Sequence, residues 1–435
     1  MTENQNAENK TVDAILEISR RARAATPELA TAGRARKDET LQAIADALRA
    51  SSTVILEANG KDVERGRENG TSEALLDRLR LDKDRLEGLA TAVEALAALP
   101  DPVGVVVRGR MLPNGVRMQQ TRVPMGVVGA VYEARPNVTV DIAGIALKSG
   151  NAVVLRGGSA AKDTNTTLIA VLRQAIENQG FDPNLVQGID DLGREGVTAL
   201  MTTHGAVDVL VPRGGRDLIQ RVVRESRVPV IETGEGNVHL FIDESAPVQM
   251  AVDIAVNAKT HRTSVCNAAE TLILHRGAEE ASREVLRALT RLGVRLHADA
   301  EAMTLIPQGS DRGDNAVDPV EATDEDWATE YLDMEMAVKT VGSLEEAVEH
   351  ITQYSTGHTE AIVTNDLANA DRFVQDIDSA AVIVNASTRF TDGGELGLGA
   401  EVGISTQKMH ARGPMGLEEL TTTKWILRGD GQIRR

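Results

Sequence analysis

Residues 126–157 read GVVGAVYEARPNVTVDIAGIALKSGNAVVLRG. Two apolar runs, 126–133 and 152–157, flank a stretch, 138–148, whose apolar residues keep helical spacing. The alternation continues. LVQGI (185–189), VDVLV (207–211) and PVIET (229–233) are further strand-like runs, with helical stretches at 160–178 and 215–225 between them. Apolar strands joined by helices imply a parallel sheet covered on both faces, the mark of an α/β fold. Such sheets bind ligands beyond the carboxyl ends of their strands.

Upstream, residues 11–100 read as helices. Leu41, Ile44, Ala45 and Leu48 recur at helical spacing behind the acidic start Asp38-Glu39, and 72–98 gives one longer helical pattern closed by Pro100 and Pro102. The polar opening MTENQNAENK is expected to be a short frayed terminus. In VGVVVRGRMLPNGVRMQQTRV (103–123) the period changes, and two β-like runs flank Pro113-Asn114-Gly115, a hairpin signal. A hairpin this long, Arg-rich and partly apolar, is expected to leave the main body and pair with another subunit.

Downstream, a second α/β segment spans about 235–410. It holds ETLIL (270–274), an arginine-rich helix (278–292), AVKTV (337–341) and AAVIVN (380–385). Glycine-rich TDGGELGLGAEVG (391–403) is expected to be a loop near the active cleft, and KWILRG (424–429) a final strand. Lys plus Arg number 47 against 65 Asp plus Glu, a net charge of −18, which argues against a general nucleic-acid binder. One cysteine, no apolar leader and no run of about 18 apolar residues point to a cytoplasmic protein without a membrane span. The histidines are scattered, with no cysteine pair and no HExxH, so no metal site is expected.

That cysteine, Cys266, lies in THRTSVCNAAETLIL, where small polar residues precede it and a β-like run follows. A thiolate is the strongest side-chain nucleophile near neutral pH, yet lone cysteines are also common as inert core fillers. Five segments, the last of them around the cysteine itself, decide between the two. They are VGSLEEAVEHITQYSTGHTEAIVT (341–364), RVPMGVVGAVYEARPNVTVD (122–141), VVLRGGSAA (153–161), VIETGEGNVH (230–239) and SVCNAAETL (264–272). In this combination the chain resembles the aldehyde dehydrogenase superfamily, and within it the γ-glutamyl phosphate reductase family, from about residue 12 to the end. The segment 341–364 is the most specific to that branch. It speaks against the competing reading, another thioester-forming relative that uses coenzyme A or water.

The resemblance implies a fold of three parts. A Rossmann-like NADP-binding domain comprises 1–105 and 124–233, with 411–421 returning to it; a catalytic α/β domain covers 234–410; 106–123 and 422–435 supply oligomerisation strands. It also implies roles for individual residues. Cys266 is the nucleophile and Asn137 the oxyanion-hole amide, although Asn137 after Pro136 also reads as a helix N-cap. Arg156 stands where many relatives carry lysine, and its fork suits the 2′-phosphate of NADP. Gly157, Gly158 and Ser159 allow close approach to a phosphate, and Gly214 and Gly215 face the pyrophosphate. Glu232 matches the general base of hydrolytic relatives, a task that a phosphate-using enzyme does not need. Glu330 matches the glutamate that holds the nicotinamide ribose. Arg262, beside the nucleophile, is a candidate for the acyl phosphate; His350 and His358 are read either as substrate contacts or as structural histidines. Thr263 replaces a proline, and Val238 a cysteine, common in relatives. The implied activity is NADPH-dependent reduction of γ-glutamyl phosphate to glutamate 5-semialdehyde, the second step of proline biosynthesis. The implied partners are further copies of the chain and a separate, transient glutamate 5-kinase.

Overall fold

The computed structural model describes residues 3–399 and 401–434. The chain divides into two compact units. Unit 1 takes the residues up to Thr233, then Gly397–Gly403 and everything from Met415; unit 2 takes Gly234–Leu396 and Ile404–Pro414. The backbone therefore passes from one unit to the other at four places.

Unit 1 opens with five helices, Glu3–Thr31, Arg34–Ala50, Ser52–Glu68, Glu73–Leu79 and Lys83–Ala98. Two expectations change here. The polar opening is helical from Glu3 onward. The pattern at 72–98 is two helices, because the Asp82 side chain accepts from the Arg85 amide and starts a new one. Strands β1 (Val106–Met111) and β2 (Arg117–Pro124) form the hairpin. Strands β3 (Val127–Tyr132), β4 (Ala152–Arg156), β5 (Val186–Gly188) and β6 (Val209–Arg213) form a parallel sheet in the order β5-β4-β3-β6. Its central strand β3 is buried throughout, as a strand covered on both faces must be. The expected fifth strand at 229–233 is reduced to one parallel bridge, Leu210 to Val230, because the chain leaves the sheet at Thr233.

Unit 2 is built on a seven-stranded parallel sheet. Its strands are β7 (Val238–Ile242), β8 (Ala269–His275), β9 (Arg295–Ala298), β10 (Val320–Glu321), β11 (Glu335–Val341), β12 (Thr359–Val363) and β13 (Ala381–Val384), in the order β10-β9-β11-β8-β7-β12-β13. Alternate residues feed two cores. Leu240, Ile242, Leu272, Leu274, Ala361 and Val363 pack with helices Val248–Thr260 and Glu279–Arg291. Phe241, Ile273 and Ile362 pack with helices Leu344–Tyr354 and Leu367–Asp376 on the other face. A short antiparallel pair, β14 (Ile404–Ser405) and β15 (Gly413–Pro414), also belongs to unit 2. Back in unit 1, β16 (Thr421–Arg428) pairs with β2 along its length and completes a β1-β2-β16 sheet. Among the described residues no helix is long and apolar enough to cross a membrane.

Candidate active site

Cys266 is half-buried in the turn that joins helix Val248–Thr260 to β8. Its position is fixed from four sides. Lys259 and Glu270, both fully buried, bracket the turn and pair at 2.7 Å. Burial pushes the Glu270 carboxyl up to about 7, against the pull of Lys259. The Asn267 side chain donates to the Thr391 carbonyl at 2.9 Å and to that of Arg389 at 3.4 Å, and the Thr388 hydroxyl returns a bond to the Asn267 carbonyl at 2.7 Å. The fourth contact is the closest. A Cβ on Gly236 would lie 1.5 Å from the Cys266 carbonyl oxygen and 2.9 Å from its Cα, so only glycine fits there. The Gly236 amide donates to Glu330 Oε1 at 2.8 Å, which ties Glu330 to the irregular segment beside the nucleophile.

Cations gather at the same turn. Arg389 Nε donates to His261 Nδ1 at 3.4 Å, and the Arg389 guanidinium senses both the Cys266 thiol and Arg262. Burial holds its pKa below the ordinary arginine value, while Asp392 and Cys266 act in the opposite direction. His261 and Arg262 are exposed. Arg389 lies 123 positions beyond Cys266 (389 − 266), so no local spacing announces it.

The two histidines of 341–364 are buried. His358 is 0% exposed and donates to or accepts from its neighbour Thr359 at 2.8 Å. His350 packs edge-on against Trp327 and His239 and tilts over Tyr354. Burial depresses both, His350 to about 3 and His358 to about 4, so both rings are neutral at physiological pH. Of the two readings for them, this burial favours packing over substrate contact. Among the described residues no group of three or more His, Cys, Asp or Glu is placed to hold a metal ion.

In unit 1 the helix Pro136–Lys148 starts with Arg135 at the N-cap and Pro136 in the first turn, so Asn137 is not the cap. The proline takes the first position because it has no N–H to satisfy. The Asn137 amide donates instead to Asp141 Oδ2 at 3.1 Å, one turn along. Burial pushes the Asp141 carboxyl up to about 6.

The glycine turns after β4 and β6 converge on the segment that follows β3. A Cβ on Gly158 would sit 3.1 Å from the Ala134 amide nitrogen, and one on Gly214 would sit 2.8 Å from Glu133 Oε2. Glu133 accepts from the Gly215 amide at 3.1 Å, and Ala134 takes the unusual φ of 37°. Gly157 donates to Asp190 Oδ1 at 2.7 Å, and Ser159 opens a short 3₁₀ turn before helix Lys162–Asn178. Arg156 ends β4, and its buried Nε has no hydrogen-bond partner among the described residues. These are neighbouring strand ends with glycine turns that leave no room for a side chain and an arginine one hydrogen bond short. They fit a phosphate-bearing nucleotide. Asp190, beside Arg156 and pushed up to about 6 by burial, has no counterpart in the sequence reading; an acid directly after the run LVQGI was its signal. Glu232 lies in the irregular segment just before Gly234.

The model of the aldehyde dehydrogenase family matches residues 1–313. A γ-glutamyl phosphate reductase of Kineococcus radiotolerans is 58% identical over 423 residues, which cover 97% of this chain and 96% of the relative. One from Leifsonia xyli is 57% identical over 414 residues, or 95% and 96% of the two chains. The crystal structure of γ-glutamyl phosphate reductase from Thermotoga maritima superposes with a TM-score of 0.92 at 43% identity, covering 97% of this chain and 100% of that one. The chain belongs to the aldehyde dehydrogenase family and, within it, to the γ-glutamyl phosphate reductases. It is an oxidoreductase.

Proposed function

We propose that the chain reduces L-glutamyl 5-phosphate to L-glutamate 5-semialdehyde and phosphate, the second step of proline biosynthesis from glutamate, through a thioester on Cys266. The observation that carries this reading is the seat of the only cysteine. Its carbonyl is packed against Gly236 and its turn is strapped by Asn267, with the cationic Arg389 in electrostatic reach. A fixed cation favours a thiolate over a thiol and draws an anionic substrate toward it. The Cys266 sulfur attacks the acyl carbon, the C–O bond to phosphate breaks, and phosphate leaves with the electron pair. Asn137 enters as the donor to the developing oxyanion through the family resemblance, and the Asp141 bond orients that amide. NADPH, when bound, supplies the hydride that carries the thioester to the aldehyde. Arg156 would hold its 2′-phosphate, the glycine turns at 157–158 and 214–215 its phosphates, and Glu330 its nicotinamide ribose. The exposed hairpin sheet supports assembly into a homo-oligomer, and the labile acyl phosphate would come from a separate glutamate 5-kinase.

The reverse reaction tests the reading. NADP reduction with glutamate 5-semialdehyde should require inorganic phosphate and should vanish in Cys266→Ala. Turnover that continues without phosphate, or in the alanine variant, would remove the acyl-phosphate thioester mechanism.

A further inference from the structure

Beside the nucleophile turn, unit 2 carries an open pocket of about 270 Å³ lined by Asn257, His261, Arg389, Phe390, Asp392 and Glu395. That volume is just under the roughly 300 Å³ where drug-sized pockets begin, the scale of a small metabolite. Its loop, 388–395, is fastened directly to the residue after Cys266 by the three Asn267 bonds. The lining carries both signs of charge. Arg389 supplies the positive charge and Asp392 and Glu395 the negative, with His261, the Asn257 amide and the Phe390 ring completing the wall.

Arg389, one of the lining residues, is left a hydrogen bond short. Arg389 Nη1 is buried and has no hydrogen-bond partner among the described residues. An unpaired buried guanidinium N–H is costly, and a carboxylate supplies the acceptor that it lacks. Two carboxylates in the same wall make a phosphate dianion a poorer occupant than a single carboxylate, because like charges repel. They are suited to an ammonium group instead.

We infer that this pocket receives the α-amino-acid end of the acyl substrate. Arg389, helped by Asn257 and His261, binds the α-carboxylate, and Asp392 and Glu395 bind the α-ammonium. The inference rests on the acyl-phosphate reading above and adds to it the groups that select a zwitterionic head. Holding that head fixes how far the acyl chain reaches along the turn toward Cys266, which converts recognition into positioning.

Three aldehydes separate the contributions in the phosphate-dependent oxidation: L-glutamate 5-semialdehyde, 5-oxopentanoate, which lacks the amino group, and pentanal, which lacks both. Each lost charged contact should lower kcat/KM of the full-length enzyme roughly ten- to a hundred-fold. Glu395→Gln, at an exposed side chain that packing does not need, and Asp392→Asn should shrink the ratio of the first aldehyde to the second. Arg389→Gln should shrink the ratio of the second to the third. Both ratios surviving in all three variants would overturn the assignment, as would a wild type that uses the three aldehydes equally well with phosphate. Absence of phosphate-dependent turnover with any aldehyde would instead sink the acyl-phosphate reading, and the pocket with it.

Discussion

Gly236 shows how much a single missing atom decides. Adding a methyl group there places it 1.5 Å from the Cys266 carbonyl oxygen and 2.5 Å from its carbonyl carbon, both backbone atoms that cannot rotate away. Gly236→Ala should therefore push the nucleophile turn aside by about an ångström and lower kcat on the order of 10²-fold. Slowed alkylation of Cys266 by iodoacetamide should accompany the loss. Gly60 is the control. It sits in helix Ser52–Glu68 with nothing within 4 Å of an added Cβ, so Gly60→Ala should leave kcat alone and stabilise by about 0.5–1 kcal/mol. Asp141 gives a prediction in pH. Its carboxyl holds a proton up to about 6 in the folded chain, whereas an unfolded aspartate loses it near 4. Between those values the folded state binds more protons, so stability falls as pH rises through the window, and the cost is complete above 6. Asp141→Asn should thus match wild type near pH 4 and exceed it by about 1–2 kcal/mol at pH 8. Denaturant melts at the two pH values measure this, and an equal difference at both would refute the burial of an ionised Asp141.

At the level of elements, the sequence exposes some strands and conceals others for a physical reason. The runs at 126–133 and 152–157 are plain because they are apolar almost throughout, and they became β3 and β4. Strands β7 and β12 stayed hidden because they carry polar letters in mid-strand. His239 and Glu360 sit opposite each other in the parallel register, and the Glu360 carboxylate accepts both the amide and the Nδ1 of His239 at 2.9 Å. A buried pair satisfied across strands looks, in one dimension, like two interruptions of an apolar run. The helix break at Asp82 was missed for the opposite reason, since a single cap changed a pattern that periodicity alone carried through. The site divides the same way. Cys266 stood out as the only cysteine, whereas Arg389 and Gly236 act through contacts that sequence distance does not encode. The hairpin was legible from Pro113-Asn114-Gly115, and the structure leaves β1 exposed along its length. Val106, Val107 and Met111 on β1, and Trp425 and Leu427 on β16, are 47–60% exposed on a sheet with two open edges. Unprotected apolar edges of this kind recruit another chain. Val107→Lys together with Met111→Lys should shift the enzyme toward smaller species in light scattering at micromolar concentration. An unchanged mass would place the subunit contact elsewhere.

For the molecule as a whole, the order in which the chain visits its two units matters. Unit 2 is complete at Pro414, while unit 1 still waits for the segment from Met415 onward. That segment brings Met415 and Leu420, both 0% exposed, together with Leu417 at 7%. It also brings β16, which pairs with β2 over eight positions from Thr421 to Arg428 and is clamped by Arg122 on Glu418. Burying three such side chains is worth roughly 1.5–3 kcal/mol each, so their loss removes about as much free energy as a typical domain has to spare. The Asn151 side chain, fully buried and bonded to the Leu420 carbonyl at 2.9 Å, would lose that acceptor as well. A chain ending at Pro414 should therefore keep the transition of unit 2 in scanning calorimetry and lose, or shift down by tens of degrees, the transition of unit 1. The Lys259–Glu270 pair and the seven-stranded sheet, both inside unit 2, have no atom in the deleted segment, so Cys266 should still be alkylated at the wild-type rate while NADP-dependent turnover disappears. If both transitions fell together, the two units would be one cooperative body and the division at Thr233 would have no energetic meaning.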